Sequence, residues 1–241
     1  MNIILIYFSI KYDGEWDKIY KALEEKEKVS LKDITELEEK IKEEKWNLIT
    51  IIDKEYPNPL KQAYKPPFVL WLKGNQELIK NRFISVTGNQ VDDISIQRIN
   101  EFIPEINKSN SIITASYQGI DEEILKIEND GHMYVLASGI NFLSIKTKEK
   151  DKDLIITEYP PNSKVTKERL RNRNRIIASF AKSLVLFTSK KDGPINNLIT
   201  NFLNLGKEIY CFPGNGNEVD GNSELIKQVA NLITGIKDIS N

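Results

Sequence analysis

Arginine and asparagine alternate in one short stretch of the chain, Leu170 to Ser179, which reads LRNRNRIIAS. Guanidinium groups bind phosphates and carboxylates through paired hydrogen bonds, so three of them at this spacing favour an anion site. Residues 164–182 hold seven basic side chains and one acidic side chain, Glu168, although the formal net charge of the whole chain is −1. Any attraction for a polyanion must therefore come from a local patch.

The start of the helix decides where these arginines lie. In one continuous helix Arg173 would fall inside an apolar stripe, where an unpaired charge is costly. We therefore expect the helix to begin at Asn172 or Asn174, with the arginines around its N-terminus, where a bound anion would offset their charge. The alternative is that the arginines form ion pairs with Glu158, Asp192 or other acids at the edge of a sheet.

Other reactive groups are scarce. Cys211 is the one cysteine of the chain and His132 its one histidine, so a disulfide framework and a Cys/His metal site both lack the residues they need. No Ser/His/Asp set, Cys/His set or pair of carboxylates has a spacing suited to catalysis. We expect a buried thiol, a surface or hydrogen-bonded histidine, and a protein that is not an enzyme and uses no metal or other cofactor.

Short apolar runs alternate with helix-length segments and must form the frame of the site. Six runs are strand-like, and they cover residues 82–88, 111–116, 133–138, 153–160, 183–189 and 208–214. This alternation predicts an α/β fold with an extended Rossmann-like, mostly parallel sheet flanked by helices. Residues 1–52 combine dense charge with helical periodicity, which predicts a small helical N-terminal region before the Rossmann-like domain at 53–241.

The apolar opening of the chain, MNIILIYFSI, has no basic segment before it and is far shorter than a membrane span. We therefore expect a cytoplasmic protein that does not contact a membrane.

Loops at the carboxyl ends of the strands are the expected binding region, because ligands of open parallel sheets bind there. Gly88 ends the first run and permits close backbone approach, with Asp92 or Asp93 as the cap of the next helix. Gly119 opens a further helix, and Lys190–Lys191 follow the fifth run. These loops contain no GxGxxG pattern, so a dinucleotide site is not expected.

Several short motifs follow one another in an order that resembles the DNA-processing protein A family (DprA, also called Smf). The resemblance covers roughly residues 50–232, and its most specific part is the Arg-Asn-Arg-Ile-Ile-Ala block at 173–178. The other matching residues are Tyr56-Pro57, Pro66-Pro67, Gly88, Gly119-Ile120-Asp121, Glu158-Tyr159-Pro160, Pro213-Gly214 and Gly221-Asn222.

This resemblance implies a protein that binds single-stranded DNA in a basic pocket, forms a homodimer and hands the DNA to the RecA recombinase during natural transformation, without a catalytic reaction of its own. Some relatives carry a further winged-helix tail, which we do not expect here. The residues that the resemblance and the loop argument together place at the DNA are Gly88, Asn89, Gln90, Gln118, Gly119, Arg171, Arg173, Asn174, Arg175, Lys190 and Lys191.

The chain departs from the family pattern at positions where cations are expected. Gln90 stands in place of the arginine of a Gly-Ser-Arg motif, and Gln118 in place of a lysine or arginine. Loss of two phosphate contacts predicts weaker DNA binding with a flatter salt dependence. Amide side chains still donate hydrogen bonds to phosphate, and Tyr117 either stacks on a base or packs against the protein.

The C-terminal segment 224–233, ELIKQVANLI, is expected to form the last helix, with Asn222 or Ser223 as its cap. Its apolar stripe would either form the homodimer interface or pack on the chain's own sheet. The stripe consists of Leu225, Ile226, Val229 and Leu232.

Two other functions stay open. A nucleotide-cleaving enzyme of the phosphoribohydrolase type also has a Rossmann-like fold, and its glycine-rich loop resembles Pro213-Gly214-Asn215-Gly216-Asn217, with Asp220 where that enzyme has glutamate. The third possibility is a degenerate member of the DprA/Smf family that acts mainly through a protein partner.

Overall fold

The computed structural model describes residues 1–142, 151–214 and 220–239. Three helices come first in the chain: α1 (Ile3–Lys11), α2 (Trp16–Glu24) and α3 (Leu31–Glu43). Asn2 and Ser30 cap α1 and α3, since their side-chain oxygens accept backbone N–H groups that the first turn leaves unpaired.

A nine-stranded sheet forms the centre of the described residues. Its strands are β1 (Asn47–Thr50), β2 (Val69–Gly74), β3 (Phe83–Thr87), β4 (Ser111–Thr114), β5 (His132–Val135), β6 (Leu154–Thr157), β7 (Ala181–Leu186), β8 (Ile209–Cys211) and β9 (Asn231–Leu232). The helices of this part are α4 (Asn58–Lys61), α5 (Asp93–Asn107), α6 (Ile120–Ile124), α7 (Lys167–Phe180), α8 (Asn196–Asn204) and α9 (Gly221–Gln228). All six predicted strand runs are confirmed as β3 to β8.

The strand order is β1-β2-β6-β5-β4-β3-β7-β8-β9. Strands β1 and β2 are antiparallel to their neighbours, and every pair from β6 to β9 is parallel. The chain runs outward from β3 through β4 and β5 to β6, then returns through α7 to β7 on the other side of β3. The loops after β3 and β7 therefore diverge at a topological switch point, which is where such sheets bind ligands. The α/β class with a mostly parallel sheet is confirmed.

Helices cover both faces of the parallel strands. On one face α7 and α8 contribute Ile176, Ile177, Leu198 and Phe202 to the core. On the other face α5 and α6 contribute a second cluster with Phe102, Ile103, Ile120 and Ile124. Removing each such side chain from water contributes about 1.5–3 kcal/mol. Strands buried on both faces have almost wholly apolar sequences, which is why the runs were recognisable.

The N-terminal helices pack on the antiparallel edge of the sheet, where Leu5, Ile6 and Leu37 contact Val69 and Trp71 of β2. Residues 47–50, within the segment expected to be helical, form β1 and pair with β2. The division into 1–52 and 53–241 stays a prediction. None of the helices in the described ranges is long and apolar enough to span a bilayer.

The last helix differs from the expected one. Helix α9 covers residues 221–228, and its cap is Asp220, which accepts the N–H groups of Asn222 and Ser223. Val229 is the C-cap, and Leu232 lies in β9 beside β8. The expected four-residue helical stripe is therefore wrong, because the end of the segment adds a strand to the sheet.

The two single-copy residues are both buried. Burial raises the pKa of the Cys211 thiol to about 12, which confirms the expectation of a buried thiol. His132 Nε2 pairs with Asn129 Nδ2 at 2.6 Å, while its Nδ1 has no hydrogen-bond partner among the described residues. The expectation of a hydrogen-bonded histidine therefore holds for one ring nitrogen.

Candidate nucleic-acid interface

Three loops meet at the carboxyl ends of β3, β4 and β7. We call their residues 88–90, 118–119 and 190–191 the rim. The Asn89 N–H donates to Thr188 O at 3.1 Å, and the Gln90 N–H donates to Thr188 Oγ1 at 3.0 Å. The Lys190 N–H in turn donates to Asn89 Oδ1 at 3.1 Å. These bonds join the loops after β3 and β7, so the structure brings together the rim residues that the sequence indicates.

Glycine is required at the base of the rim. A Cβ atom on Gly88 would lie 2.7 Å from Ile120 Cγ1 and 2.8 Å from Thr188 Oγ1, closer than real contacts allow. Gly119 has a φ of +95° and lies beside the carbonyl group of Asn89. The first glycine lets β3, α6 and β7 approach each other, and the second permits a backbone conformation that other residues rarely adopt.

Asp121 is buried beneath the loop between β4 and α6 and holds its shape. Its carboxylate accepts Thr87 Oγ1 at 2.6 Å, Thr114 Oγ1 at 2.5 Å and the Tyr117 N–H at 3.1 Å. Burial raises the pKa of Asp121 to about 6, although these hydrogen bonds and the charge of Arg173 act in the opposite direction. Asp121 thus links the ends of β3 and β4 under the rim.

Two glutamines and two lysines are the polar side chains that reach solvent at the rim. Gln90, Gln118, Lys190 and Lys191 are exposed, and neither lysine forms an ion pair with a residue in the described ranges. The N-terminus of α5 is satisfied by its own capping box, in which Asp92 and Ser95 bond reciprocally. The Asp92 cap is confirmed, and it leaves little positive potential at this helix end.

The crevice under the rim is small. It has a volume of about 30 Å³, and Gln90, Arg98, Thr188 and Asn222 contribute to its lining. Roughly 300–1,000 Å³ is usual for a pocket that encloses a small-molecule ligand. A ligand of this region must therefore lie across its surface.

Helix α7 begins earlier than expected. Thr166 is its N-cap, with Oγ1 accepting the Arg169 N–H at 3.2 Å, and the helix runs unbroken from residue 167 to 180. The expected start at Asn172 or Asn174 is wrong, and so is the expected cluster of arginines around a helix N-terminus. The helix tolerates Arg173 on its buried side because other parts of the chain supply partners for the arginines.

Arg169 joins α7 to the N-terminal helices. Its Nη2 atom donates to the carboxylates of Asp13 at 2.7 Å and Glu15 at 2.9 Å, and to the Asp13 carbonyl oxygen. The guanidinium also lies 4.4 Å from the ring centroid of Tyr159. Burial acts to lower the pKa of Arg169, but the two carboxylates outweigh it and the pKa is raised.

Arg175 forms a bidentate ion pair with Glu158, at 2.7 and 2.5 Å, and also donates to the Lys65 carbonyl oxygen. Burial acts to lower the pKa of Arg175, and the neighbouring Glu158 reverses this, so the pKa is raised. The alternative that an arginine pairs with Glu158 is confirmed. The predicted pairing with Asp192 is not found among the described residues.

Arg173 and Asn174 support the rim from below. The guanidinium of Arg173, which is 6% exposed, lies 4.7 Å from the ring centroid of Tyr117 and donates weakly to Ala115 O at 3.4 Å. The Tyr117 hydroxyl donates to Asn174 Oδ1 at 3.2 Å. Both residues therefore contact the loop that carries Gln118 and Gly119, and Tyr117 packs on the protein.

The basic segment 164–182 does not form one positive surface. Of its arginines only Arg171 is exposed, together with Lys164, Lys167 and Lys182. Arg171 points to a cleft between α7 and α8 that Arg175 also lines. Sequence analysis did not identify Thr188, which bonds to Asn89 and Gln90 and so joins the rim loops. It also did not identify the role of Asn222, whose Nδ2 donates to carbonyl groups of β7 and of the residues after β7 and β8. Asn222 was recognised as a possible cap and as part of a family motif, but not as the donor that joins these strand ends.

Most of the loop that resembles a phosphoribohydrolase motif lies outside the described residues, namely Asn215, Gly216 and Asn217. Asp220, at the position of the catalytic glutamate of that motif, caps α9 and accepts Ser223 Oγ at 2.6 Å. Its carboxylate is thus engaged in a structural role.

The sheet order and the rim at its switch point define a doubly wound, Rossmann-like α/β protein with an exposed polar edge. The family model described as DNA recombination-mediator protein A matches residues 47–241. The chain belongs to this family.

Similar proteins span most of the chain. The DNA processing protein DprA of Bacillus subtilis is 29% identical over 214 residues, which is 82% of this chain and 71% of that protein. The DprA of Streptococcus pneumoniae is 25% identical over 210 residues, 81% of this chain and 74% of that protein.

Two solved structures have the same fold. The structure of S. pneumoniae DprA superposes with a TM-score of 0.72 at 20% identity and covers 99% of this chain and 92% of that chain. A structure of DNA processing protein A from Helicobacter pylori, described for its single-stranded DNA binding mode, has a TM-score of 0.69 at 19% identity and covers 80% and 93%.

Proposed function

We propose that this protein is a recombination mediator that binds single-stranded DNA across the rim. The observation that carries the proposal is the convergence of Asn89, Gln90, Gln118, Lys190 and Lys191 at the switch point of a chain that belongs to a recombination-mediator family. The H. pylori neighbour is described as a single-stranded DNA binder. A shallow polar edge suits an extended strand better than an enclosed nucleotide.

The chemistry of the rim favours phosphate contacts without base reading. Lysine ammonium groups, amide N–H groups and backbone N–H groups bind phosphate oxygens and carry no sequence information. With two exposed lysines at the rim, the slope of log affinity against log salt is expected to be modest, since each phosphate contact on a single strand contributes about −0.7.

The further parts of the proposal concern partners. A homodimer through the C-terminal edge of the sheet is supported by Leu203, Leu205, Val229 and Leu232, four apolar side chains that are each 40–49% exposed. The family resemblance supports three further parts of the proposal, which are loading of RecA recombinase on the bound strand, protection of that strand and a place in DNA uptake. No catalytic step is included in this function.

A titration tests the proposal. Binding of a single strand, the matching duplex and a mononucleotide is measured by mobility shift and anisotropy at two salt concentrations. The expected result is binding of the single strand that weakens with salt. Absence of single-strand binding at low salt would overturn the proposal, and tight binding of the mononucleotide would favour the phosphoribohydrolase hypothesis.

The homodimer is tested by the mass of the protein in solution at tens of micromolar. A monomeric mass would contradict it.

A further inference from the structure

A cleft separates α7 from α8 on the side that faces the N-terminal helices. We call it the α7–α8 cleft. Its volume is about 230 Å³, and its walls come from α7, α8, the segment Gly14–Asp17 and the segment Tyr64–Lys65. This volume is below the roughly 300–1,000 Å³ of pockets that hold drug-sized ligands, so it suits a single flat ring system.

The charges that line the cleft are nearly all paired. Asp17 bonds to Lys65 at 2.7 Å, and Glu158 bonds to Arg175 at 2.5 Å. Glu15 is held by Arg169, at 2.9 Å. What remains is one exposed charge of each sign on α7, at residues 168 and 171. The cleft therefore has no net positive charge to attract a phosphate, and it favours a neutral polar group.

Two asparagines one turn apart on α8 present unused hydrogen-bonding groups to the cleft. Asn197 Oδ1 accepts Asn174 Nδ2 at 2.9 Å, and Asn201 Nδ2 donates to the Asn197 carbonyl oxygen at 2.7 Å. The Asn197 Nδ2 donor and the Asn201 Oδ1 acceptor have no partner among the described residues. A donor beside an acceptor matches the edge of a nucleobase, which carries the same two kinds of group.

An aromatic face is available at the same place. The Tyr64 side chain is 78% exposed at the mouth of the cleft. Trp16 is already stacked between Tyr20 and Phe68, with ring centroids 5.0 and 5.2 Å away. Lys65 Nζ lies 5.7 Å from the ring centroid of Tyr64, and no other ring contacts Tyr64 among the described residues. The opposite face of Tyr64 can therefore accept a stacked base, and every base has a face that stacks.

The cleft lies close to the rim. Tyr117, which directly precedes Gln118 of the rim, bonds to Asn174, and Asn174 bonds to Asn197 in the wall of the cleft. Two consecutive hydrogen bonds therefore connect the two regions. A strand that leaves the rim at Gln118 reaches the cleft within a few nucleotides.

We propose that the α7–α8 cleft binds one nucleobase of the single strand that crosses the rim, with Tyr64 stacking on the base and Asn197 and Asn201 contacting its edge. This inference rests on the proposed function, because the rim must first bind the strand. It adds a base-dependent contact to a surface that otherwise contacts phosphates.

The test compares Tyr64→Ala with wild-type protein, using a single-stranded oligonucleotide and an abasic oligomer of the same length. Tyr64→Ala is expected to weaken binding of the oligonucleotide about 5- to 150-fold, the range typical of one lost base stack. The salt slope stays unchanged, because the ring carries no charge. Binding of the abasic oligomer is expected to be the same for both proteins, and Tyr64→Phe retains wild-type affinity.

Two further variants sharpen the result. Phe142→Ala removes another ring of similar exposure, 47%, outside the cleft and should change nothing. Asn201→Leu keeps the size of the side chain and removes its acceptor. It should weaken binding of the oligonucleotide and leave binding of the abasic oligomer unchanged. If wild-type protein binds the oligonucleotide and Tyr64→Ala binds it equally well, the cleft inference is wrong and the proposed function stands. If wild-type protein binds no single strand at low salt, both are wrong.

Discussion

At the rim the exposed polar groups are two lysines and two glutamines, whereas α7 holds two buried arginines and one partly buried arginine against acids, carbonyl groups and aromatic rings. The rim lysines form no ion pair within the described part of the chain. Arg169 and Arg175 each hold carboxylates at 2.5–2.9 Å, and Arg173 lies against Tyr117. Three of the four arginines of α7 therefore add no free positive charge to the surface, and only Arg171 is exposed.

This difference separates two uses of arginine that look alike in a sequence. A planar guanidinium with five donors suits a buried junction, because it can bond several acceptors at once. On α7 it connects the N-terminal helices, the rim loop and the Lys65 segment. A phosphate site needs cations that remain free, and at the rim these are lysines.

The largest expected effect concerns the Arg175–Glu158 pair. Replacement of Arg175 by alanine leaves a buried carboxylate without its partner, so the free energy of unfolding should fall by about 3–5 kcal/mol. Arg171→Ala, an exposed arginine on the same helix, should change it by no more than about 0.5 kcal/mol. Urea denaturation measures both. Equal stability of the two variants would break the distinction between buried and free arginines.

The second prediction uses pH and Asp121, the carboxyl group buried under the rim. Its folded pKa of about 6 lies above the ordinary value of 3.8. The native state therefore binds the proton more tightly than the unfolded state does. As pH rises from about 4 to 6, the contribution of Asp121 to the free energy of unfolding falls by about 3 kcal/mol in total. Asp121→Asn lacks this loss.

Unfolding free energies of wild type and Asp121→Asn are compared between pH 4 and 7. The difference between them should shift by about 3 kcal/mol in favour of the variant as pH rises. Asp93→Asn, an exposed position, is the control and should follow the wild type. Parallel curves for wild type and Asp121→Asn would count against a carboxyl group whose pKa is raised by burial under the rim.

The third prediction neutralises the rim. Lys190→Gln combined with Lys191→Gln should reduce single-strand affinity about 25-fold at 0.1 M salt and flatten the salt slope by about 1.4 units, the effect of two lost phosphate contacts. Lys164→Gln combined with Lys167→Gln removes the same charge near the start of α7 and should leave binding nearly unchanged. If the two double variants lose the same amount of single-strand affinity, the strand is bound by α7 and not by the rim.

The smallest expected effect is an increase in affinity for the single strand. Gln118→Arg or Gln90→Arg should each tighten binding about fivefold at 0.1 M salt by adding one phosphate contact. Gln97→Arg, which adds the same charge on the exposed side of α5, is the control. A strand that follows a different path would respond to none of these changes, or to Gln97→Arg as strongly as to the others.

Several elements could be predicted from local sequence because local physics determines them. Strands β3 to β8 are short apolar runs, and burial on both faces requires that composition. Asp92 was recognisable as a helix cap because its side chain bonds to a backbone N–H group only three residues away. Strands β1, β2 and β9 were not predicted. Strand β1 has four residues and β9 has two, and segments this short become strands only when β2 and β8 lie beside them.

The sequence by itself determined the mostly parallel sheet, its covering helices and the edge at which the rim loops lie, since these follow from alternation and connectivity. The order of the strands came only from the structure. Only the tertiary structure decided which arginines are paired and buried and which are free. Asp13 and Glu15 stand more than 150 residues before Arg169, and no local pattern reports that they meet. A charge is free or paired according to what the fold brings within about 3 Å of it, and that distance is a property of the folded chain.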